Sequence, residues 1–232
     1  MKTILITGAN RGIGYEMAKQ SLTAGHRVFA TCRRPEAADQ LHALADQSAG
    51  QLTICQADVA DDQSVAAAFE AISAETDHLD ILINNAGVNH RDNYEKFVPA
   101  NMVEALNINA VGAMRMAHAF GSLLRHGRGA TIVNISSQLG SLQVARAGFG
   151  GVTYNTSKAA MNMISRHLAF DLAADQVTVI SMHPGWVQTD MGGKHAAVTV
   201  PDSAAGILNV THGLTMADSG EFFIYNGEKH LW

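Results

Sequence analysis

Short continuous apolar runs alternate with longer stretches of helical spacing along the whole chain. Ile4-Leu5-Ile6 opens the series, and an unbroken run of this length fits a strand buried on both faces. Helical spacing follows from Ile13 to Leu22, and Val28-Phe29-Ala30-Thr31 reads as the second strand. A helix from about Glu36 to Ala45 keeps Leu41 and Leu44 on one face, and Leu52-Thr53-Ile54 is the third strand. Asp61 or Asp62 is placed to cap a helix carrying Val65, Phe69 and Ile72. Leu79–Ile83 is the fourth strand, a long helical stretch runs from about Met102 to Arg125, and Thr131–Ile135 is the fifth strand. A helix from about Thr153 to Leu172, a strand at Val177–Ser181, a helix opened by Pro201 and Asp202, and a strand at Glu221–Tyr225 complete the pattern. Strands separated by helices imply right-handed crossovers and a parallel sheet covered on both sides. The pattern predicts an α/β fold: one doubly wound parallel sheet, a single domain over residues 1–232.

Composition narrows what such a domain does. Hydrophobic residues make up 47% of the 232, too many for a disordered chain. A net charge of −5 argues against a nucleic-acid partner, which calls for a basic face. No apolar run approaches the roughly 20 residues of a membrane helix, and the opening MKTILITGAN lacks the form of a secretory leader. Cys32 and Cys55 read as small buried thiols in a reducing cytoplasm, and the expected location is cytoplasmic. The 11 histidines show no ligand spacing, so no metal is expected.

The first candidate site lies between the first strand and the first helix. Thr7-Gly8-Ala9-Asn10-Arg11-Gly12-Ile13-Gly14 has the spacing G-x3-G-x-G. Gly8 allows a tight turn, Gly12 lets backbone approach a pyrophosphate, and Gly14 lets the helix pack close to the sheet with its N-terminus facing the anion. In a dinucleotide-binding βαβ unit an acid ending the second strand binds the ribose 2′-hydroxyl of NAD, whereas an Arg there accommodates the 2′-phosphate of NADP. Here the second strand runs into Cys32-Arg33-Arg34, and Arg11 brings a further cation towards the same region. Guanidinium groups hydrogen-bond a phosphate that a carboxylate would repel, so these residues predict NADP(H).

The second candidate is a pair on one helix face: Tyr154 and Lys158, at i and i+4 in Tyr154-Asn155-Thr156-Ser157-Lys158. A phenol titrates near a pKa of about 10, and an adjacent ammonium is expected to lower that value towards neutrality. Tyr154 would then protonate an alkoxide formed by hydride transfer, or deprotonate an alcohol in reverse. Ile132–Ser137 is an apolar strand ending in hydroxyls, where such a sheet opens its crevice, so Ser137 is placed to donate to a carbonyl. Asn109 interrupts a long helical stretch, where its amide can bond a backbone carbonyl or an ordered water beside Lys158.

Taken together these motifs resemble the short-chain dehydrogenase/reductase family. The likeness covers nearly the whole chain: the Thr7–Gly14 loop, Asp58-Val59, Asn84-Asn85-Ala86-Gly87, Asn109-Ala110-Val111-Gly112, Asn134-Ile135-Ser136-Ser137, Tyr154 with Lys158, and His183-Pro184-Gly185. It implies a Rossmann-type fold. It makes Tyr154 the general acid/base, has Lys158 lower its pKa and bind the nicotinamide ribose, has Ser137 polarise the carbonyl, and has Asn109 hold a relay water. It further implies that Asp58 contacts the adenine, that Val59, Pro184 and Gly185 belong to the cofactor site, that Asn85, Ala86 and Gly87 run along the cofactor, and that Val187 and Thr189 meet the nicotinamide carboxamide. Asn10 and Ile13 join the phosphate loop, with Arg33 and Arg34 at the 2′-phosphate. The long Gly- and Ala-rich insert Gln138–Gly151, the short segment after Thr189 and the ending in Trp232 are most similar to the C-factor and sniffer-type carbonyl reductases.

The resemblance implies an NADPH-dependent reductase of aldehydes or ketones, with a small carbonyl or alcohol as substrate and a homo-oligomer, dimer or tetramer, as its assembly. Two rivals are weighed against it: a nucleotide-binding regulator with little turnover, and a sugar-nucleotide epimerase or dehydratase, which would need a further substrate domain. Trp186 reads either as a pocket residue or as a lid residue packing on the sheet, and His183 as structural. Met114, Met116, Met161 and Met163 read as core or subunit-contact residues. The loop Val88–Phe97 is unusually polar for the edge of a substrate pocket.

Overall fold

The computed structural model describes residues 1–127, 129–144 and 151–232. Its centre is one parallel sheet of seven strands: β1 (Thr3–Thr7), β2 (Arg27–Cys32), β3 (Leu52–Gln56), β4 (Ile81–Asn84), β5 (Thr131–Ile135), β6 (Thr178–His183) and β7 (Phe222–Ile224). They pair in the order β3-β2-β1-β4-β5-β6-β7. The order reverses between β1 and β4, and the crevice of a doubly wound sheet opens at that point, beyond the carboxyl ends of the strands.

Among the described residues eight helices cover the two faces: α1 (Gly12–Thr23), α2 (Asp39–Asp46), α3 (Asp62–Ser73), α4 (Pro99–Leu106), α5 (Gly112–Ala119), α6 (Gly121–His126), α7 (Val152–Asp171) and α8 (Val200–Gly213). Alternate strand residues serve opposite layers, as the two-residue period of a strand demands. Leu5, Phe29, Leu82, Ile132 and Val179 pack with Val65, Met116 and Leu168 of α3, α5 and α7. Ile4, Ile6, Val28, Ile83, Val133 and Ile180 pack with Met17, Leu41 and Ile207 of α1, α2 and α8. Every residue of β1, β5 and β6 is buried, which is why Ile4-Leu5-Ile6 reads as an unbroken apolar run rather than as alternation, while β5 and β6 also bury the polar Asn134, Ser181 and His183.

Two helices depart from the expected outline. The stretch from Glu36 to Ala45 is split. Pro35–Ala37 form a short 3-10 turn, Ala38 leaves helical geometry as it buries its methyl, and α2 begins at Asp39. The stretch from Met102 to Arg125 is three helices. A π turn at Asn107–Val111 separates α4 from α5, and a break at the fully buried Phe120 separates α5 from α6. Asp61, rather than Asp62, caps α3, accepting from the backbone amides of Gln63 and Ser64. Thr199 caps α8 ahead of Pro201. Both cysteines are buried and unbridged. Among the described residues no helix is long and apolar enough to cross a membrane, and no group of three His, Cys, Asp or Glu is placed to hold a metal.

Candidate active site

A cleft of about 560 Å³ follows the carboxyl ends of the strands. Its floor at β1 is the glycine-rich turn. Gly8 has φ +63°, and a Cβ there would stand 2.9 Å from the Ala86 Cα, so the turn closes against the segment after β4 with no room for a side chain. That contact is locked by hydrogen bonds. Asn85 Nδ2 donates to the carbonyl oxygens of Thr7 at 2.9 Å and Gly8 at 3.0 Å, while Thr7 Oγ1 accepts from the amides of Asn85 and Ala86. Gly8, Asn10, Arg11, Gly12 and Ile13 face the cleft, and Gly14 lies behind them in the first turn of α1. The start of α1 has no side-chain cap and no acid in its first turn. Its amide donors and its positive end are therefore turned to the cleft, the arrangement that receives a phosphate.

At the β2 end Cys32, Arg33 and Gln40 line the wall, with no carboxylate where an adenosine ribose would sit. Burial pushes the Cys32 thiol up and keeps it protonated. Arg34 is exposed but lies off the cleft wall. Asp58 and Val59 line the far side, and the Asp58 carboxylate is held by the amide of Ala60 at 3.0 Å. Arg11 differs from its expected posture. Its guanidinium reaches across the cleft to Asp190 at 3.1 Å, with both side chains largely exposed.

The opposite end is built from buried side chains. Asn109 sits in the π turn and is fully buried. Its Oδ1 accepts from Val88 N at 2.8 Å, and its Nδ2 donates to Val88 O and to Ser157 Oγ, both at 2.9 Å. The expected bond of its amide to a backbone carbonyl is made, at Val88. Sharp π turns are frequent at functional sites, and here the turn aims one amide at a separate loop. Tyr154 and Lys158 share one face of α7 and both line the cleft, with the ammonium 5.7 Å from the centre of the phenol ring. Lys158 Nζ donates to the Ile135 carbonyl at 2.7 Å. Ser137, at the end of β5, is a hydrogen-bond partner of the Tyr154 phenol. Ser136 is tied instead to Asn162 Oδ1 at 2.6 Å.

Burial dominates the electrostatics of this pair. Burial pushes the Tyr154 phenol up to about 12, with the Ser137 bond working the other way, and burial pushes the Lys158 amine down to about 7. Both groups are removed from water, and burial penalises phenolate and ammonium alike. Tyr154 in this structure is firmly protonated, the state of a proton donor.

Pro184, Thr189, Asp190 and Met191 line the remaining wall with Gln188, while Gly185 and the buried Val187 stand behind them. Trp186 matches neither reading: it does not line the cleft wall, and it is too exposed for a residue packed on the sheet. Its ring is half exposed, and Nε1 donates to the Gly192 carbonyl at 2.8 Å. His183 is buried, and burial together with His230 lowers its pKa to about 4, as befits a neutral structural residue. Of the Gln138–Gly151 insert, residues 145–150 lie outside the described residues. Sequence reasoning missed Gln40 and Gln188, which only tertiary folding brings to the wall, and Asp92, whose role depends on a distant helix. A pairing of the polar loop after β4 with the bare start of α7 was the available signal for Asp92.

The cleft thus joins an uncapped helix end and a glycine cradle to Tyr154 and Lys158, with Ser137 bonded to the tyrosine but off the cleft wall. A family model described as short chain dehydrogenase matches residues 2–198. "C-signal" of Myxococcus xanthus is 40% identical over 158 residues, 68% of this chain and 95% of that protein. The NADPH-bound carbonyl reductase from chicken fatty liver has a TM-score of 0.96 and 33% identity, covering 100% of this chain and 99% of its own. The carbonyl reductase Sniffer of D. melanogaster has a TM-score of 0.94 and 32% identity over 100% of both chains. Sequence, fold and cleft agree that the chain belongs to the short-chain dehydrogenase/reductase family of oxidoreductases.

Proposed function

We propose that the protein is an NADP(H)-dependent carbonyl reductase, with Tyr154 as the proton donor. The observation that carries this reading is a single cleft with a cationic, acid-free β2 end at Arg33 and a buried, protonated Tyr154 at the other end. The chicken relative's bound NADPH supports the choice of cofactor.

When bound, NADP(H) supplies the hydride. The glycine turn and the start of α1 would hold its pyrophosphate, Arg33 would meet the 2′-phosphate, and Asp58 and Val59 would border the adenine. Lys158 would bind the nicotinamide ribose, and in its protonated form it would stabilise negative charge developing on the Tyr154 oxygen. Ser137 Oγ and the Tyr154 hydroxyl both donate to the substrate carbonyl oxygen, and the phenol proton passes to that oxygen as it becomes an alcohol. Asn109 keeps Val88 and Ser157 in place beside this centre. Exposed Val103, Val111, Met114, Met163 and Phe170 on or beside α4, α5 and α7 support a homo-oligomer.

The test is consumption of NADPH, and separately of NADH, with a panel of aldehydes, ketones and diketones. Turnover with NADPH far above NADH is the expected result. Tight NADPH binding with no carbonyl reduced would favour the nucleotide-binding regulator instead.

A further inference from the structure

The helix that carries Tyr154 and Lys158 starts bare. Its N-cap is Gly151, in extended geometry and with no side chain to offer, and its first turn holds no acid. A helix start leaves amide donors without intrahelical partners, and a side chain usually supplies the missing acceptor from the N-cap itself. Here the acceptor comes from elsewhere. Asp92, in the polar loop after β4, is buried, and its Oδ1 accepts from the Thr153 amide at 3.3 Å while its Oδ2 accepts from the Thr153 hydroxyl. Gly151 is what admits it. A Cβ there would collide with the Asp92 carboxylate and stand 2.7 Å from its carbonyl oxygen.

We propose that Asp92 is a positioning residue of the catalytic helix, which caps α7 from a separate loop and sets the place of the Tyr154 hydroxyl beside Ser137. This rests on the reading of Tyr154 as proton donor. Three contacts make the loop a rigid connector. Asn109 grips both backbone groups of Val88, Asp92 grips Thr153 four residues later, and between them Arg91 donates to the Met191 carbonyl at 3.0 Å on the opposite wall. Thr153 is the residue before Tyr154, so the roll and height of the first turn of α7 follow the carboxylate. Its charge also complements the positive end of the helix.

The experiment compares Asp92→Ala, Asp92→Asn, Thr153→Val and Tyr154→Phe in steady-state carbonyl reduction, with NADPH affinity measured separately by fluorescence. Misplacing a reacting group by about 1 Å costs up to roughly a hundredfold in rate, so Asp92→Ala should lower kcat about 10- to 100-fold. Substrate KM and the NADPH Kd should stay within about twofold, because the loss falls on the chemical step. Asp92→Asn should recover most of kcat, since its amide oxygen still accepts from Thr153 N. Thr153→Val should lower kcat in the same direction, and the double variant Asp92→Ala/Thr153→Val should be no worse than Asp92→Ala, as expected of one shared interaction. An unchanged kcat in Asp92→Ala, a loss confined to KM or NADPH binding, or an Asp92→Asn as poor as Asp92→Ala would each overturn the proposal. Should Asp92→Ala not fold, an unchanged kcat in Thr153→Val overturns it. Activity retained by Tyr154→Phe would instead sink the proton-donor reading, so the two failures are distinguishable.

Discussion

The two ends of the cleft are built on different principles. Around β1 and β2 the wall is backbone: a glycine turn, helix amides and an anchoring Asn85, with cations such as Arg33 standing in solvent. Around β5 and α7 the wall is a set of buried polar side chains that bond one another. Asn84 donates to Asn134 at 2.8 Å, Asn134 to Ser165 at 2.8 Å, and Ser181 to Ser165 at 3.0 Å, a line that joins three strands to the helix of Tyr154. A phosphate needs donors and tolerates some movement. A proton transfer needs one oxygen held in one place, and buried, satisfied networks hold it.

That contrast is open to direct attack, and the largest effect is expected at the buried end. Tyr154→Phe should lower kcat by about 10²- to 10⁴-fold, the usual worth of a general acid, with NADPH binding intact by fluorescence titration. Acid should weaken the same end. His183 is lowered to about 4 from the usual value of 6.5, so the unfolded chain binds the extra proton first. The stability His183 confers is full above pH 6.5 and is lost as pH falls towards 4, by about 3 kcal/mol. Urea melts at the two pH values should show this, and His183→Gln should flatten the difference. Asn134→Leu strands the buried partners on Asn84 and Ser165, at a cost of about 2–3 kcal/mol and a melting temperature lower by roughly 5–10 °C.

At the exposed end the effects should concern binding and be smaller. Arg33→Ala should weaken NADPH by about 10- to 100-fold, the worth of hydrogen bonds to a charged phosphate, and leave NADH within about twofold. Equal losses for both cofactors would show that Arg33 does not read the 2′-phosphate. Asp190→Ala removes an exposed ion pair and should change stability by less than about 1 kcal/mol in the same urea melts.

Much of the fold was legible because parallel strands buried on both faces write themselves as short, mainly apolar runs, as at Ile4–Ile6 and Ile132-Val133. The glycine turn and the Tyr154–Lys158 spacing are equally local. What escaped depends on partners far along the chain. Asp92 caps a helix 61 residues away, and Arg11 pairs with Asp190 across 179. The π turn answers to the backbone of Val88, and nothing in Asn107–Val111 announces it. The burial that raises the Tyr154 phenol comes from tertiary packing, which the i and i+4 spacing with Lys158 does not reveal.

The π turn also carries a lesson about length. A regular helix turns about 100° with each residue, and a π turn accommodates one residue more than the regular helix would. It is a phase slip between α4 and α5. Deleting one residue from 107–111 would restore an unbroken helix and rotate everything beyond it by about 100°. Met116 and Ala117, now in the core, would swing away from the sheet, and Asn109 would lose Val88. Point substitutions across this segment are a mild perturbation by comparison. Between α4 and α5 the identity of Asn109 is fixed by its bonds to Val88 and Ser157, and the number of residues is fixed by the angle between two faces.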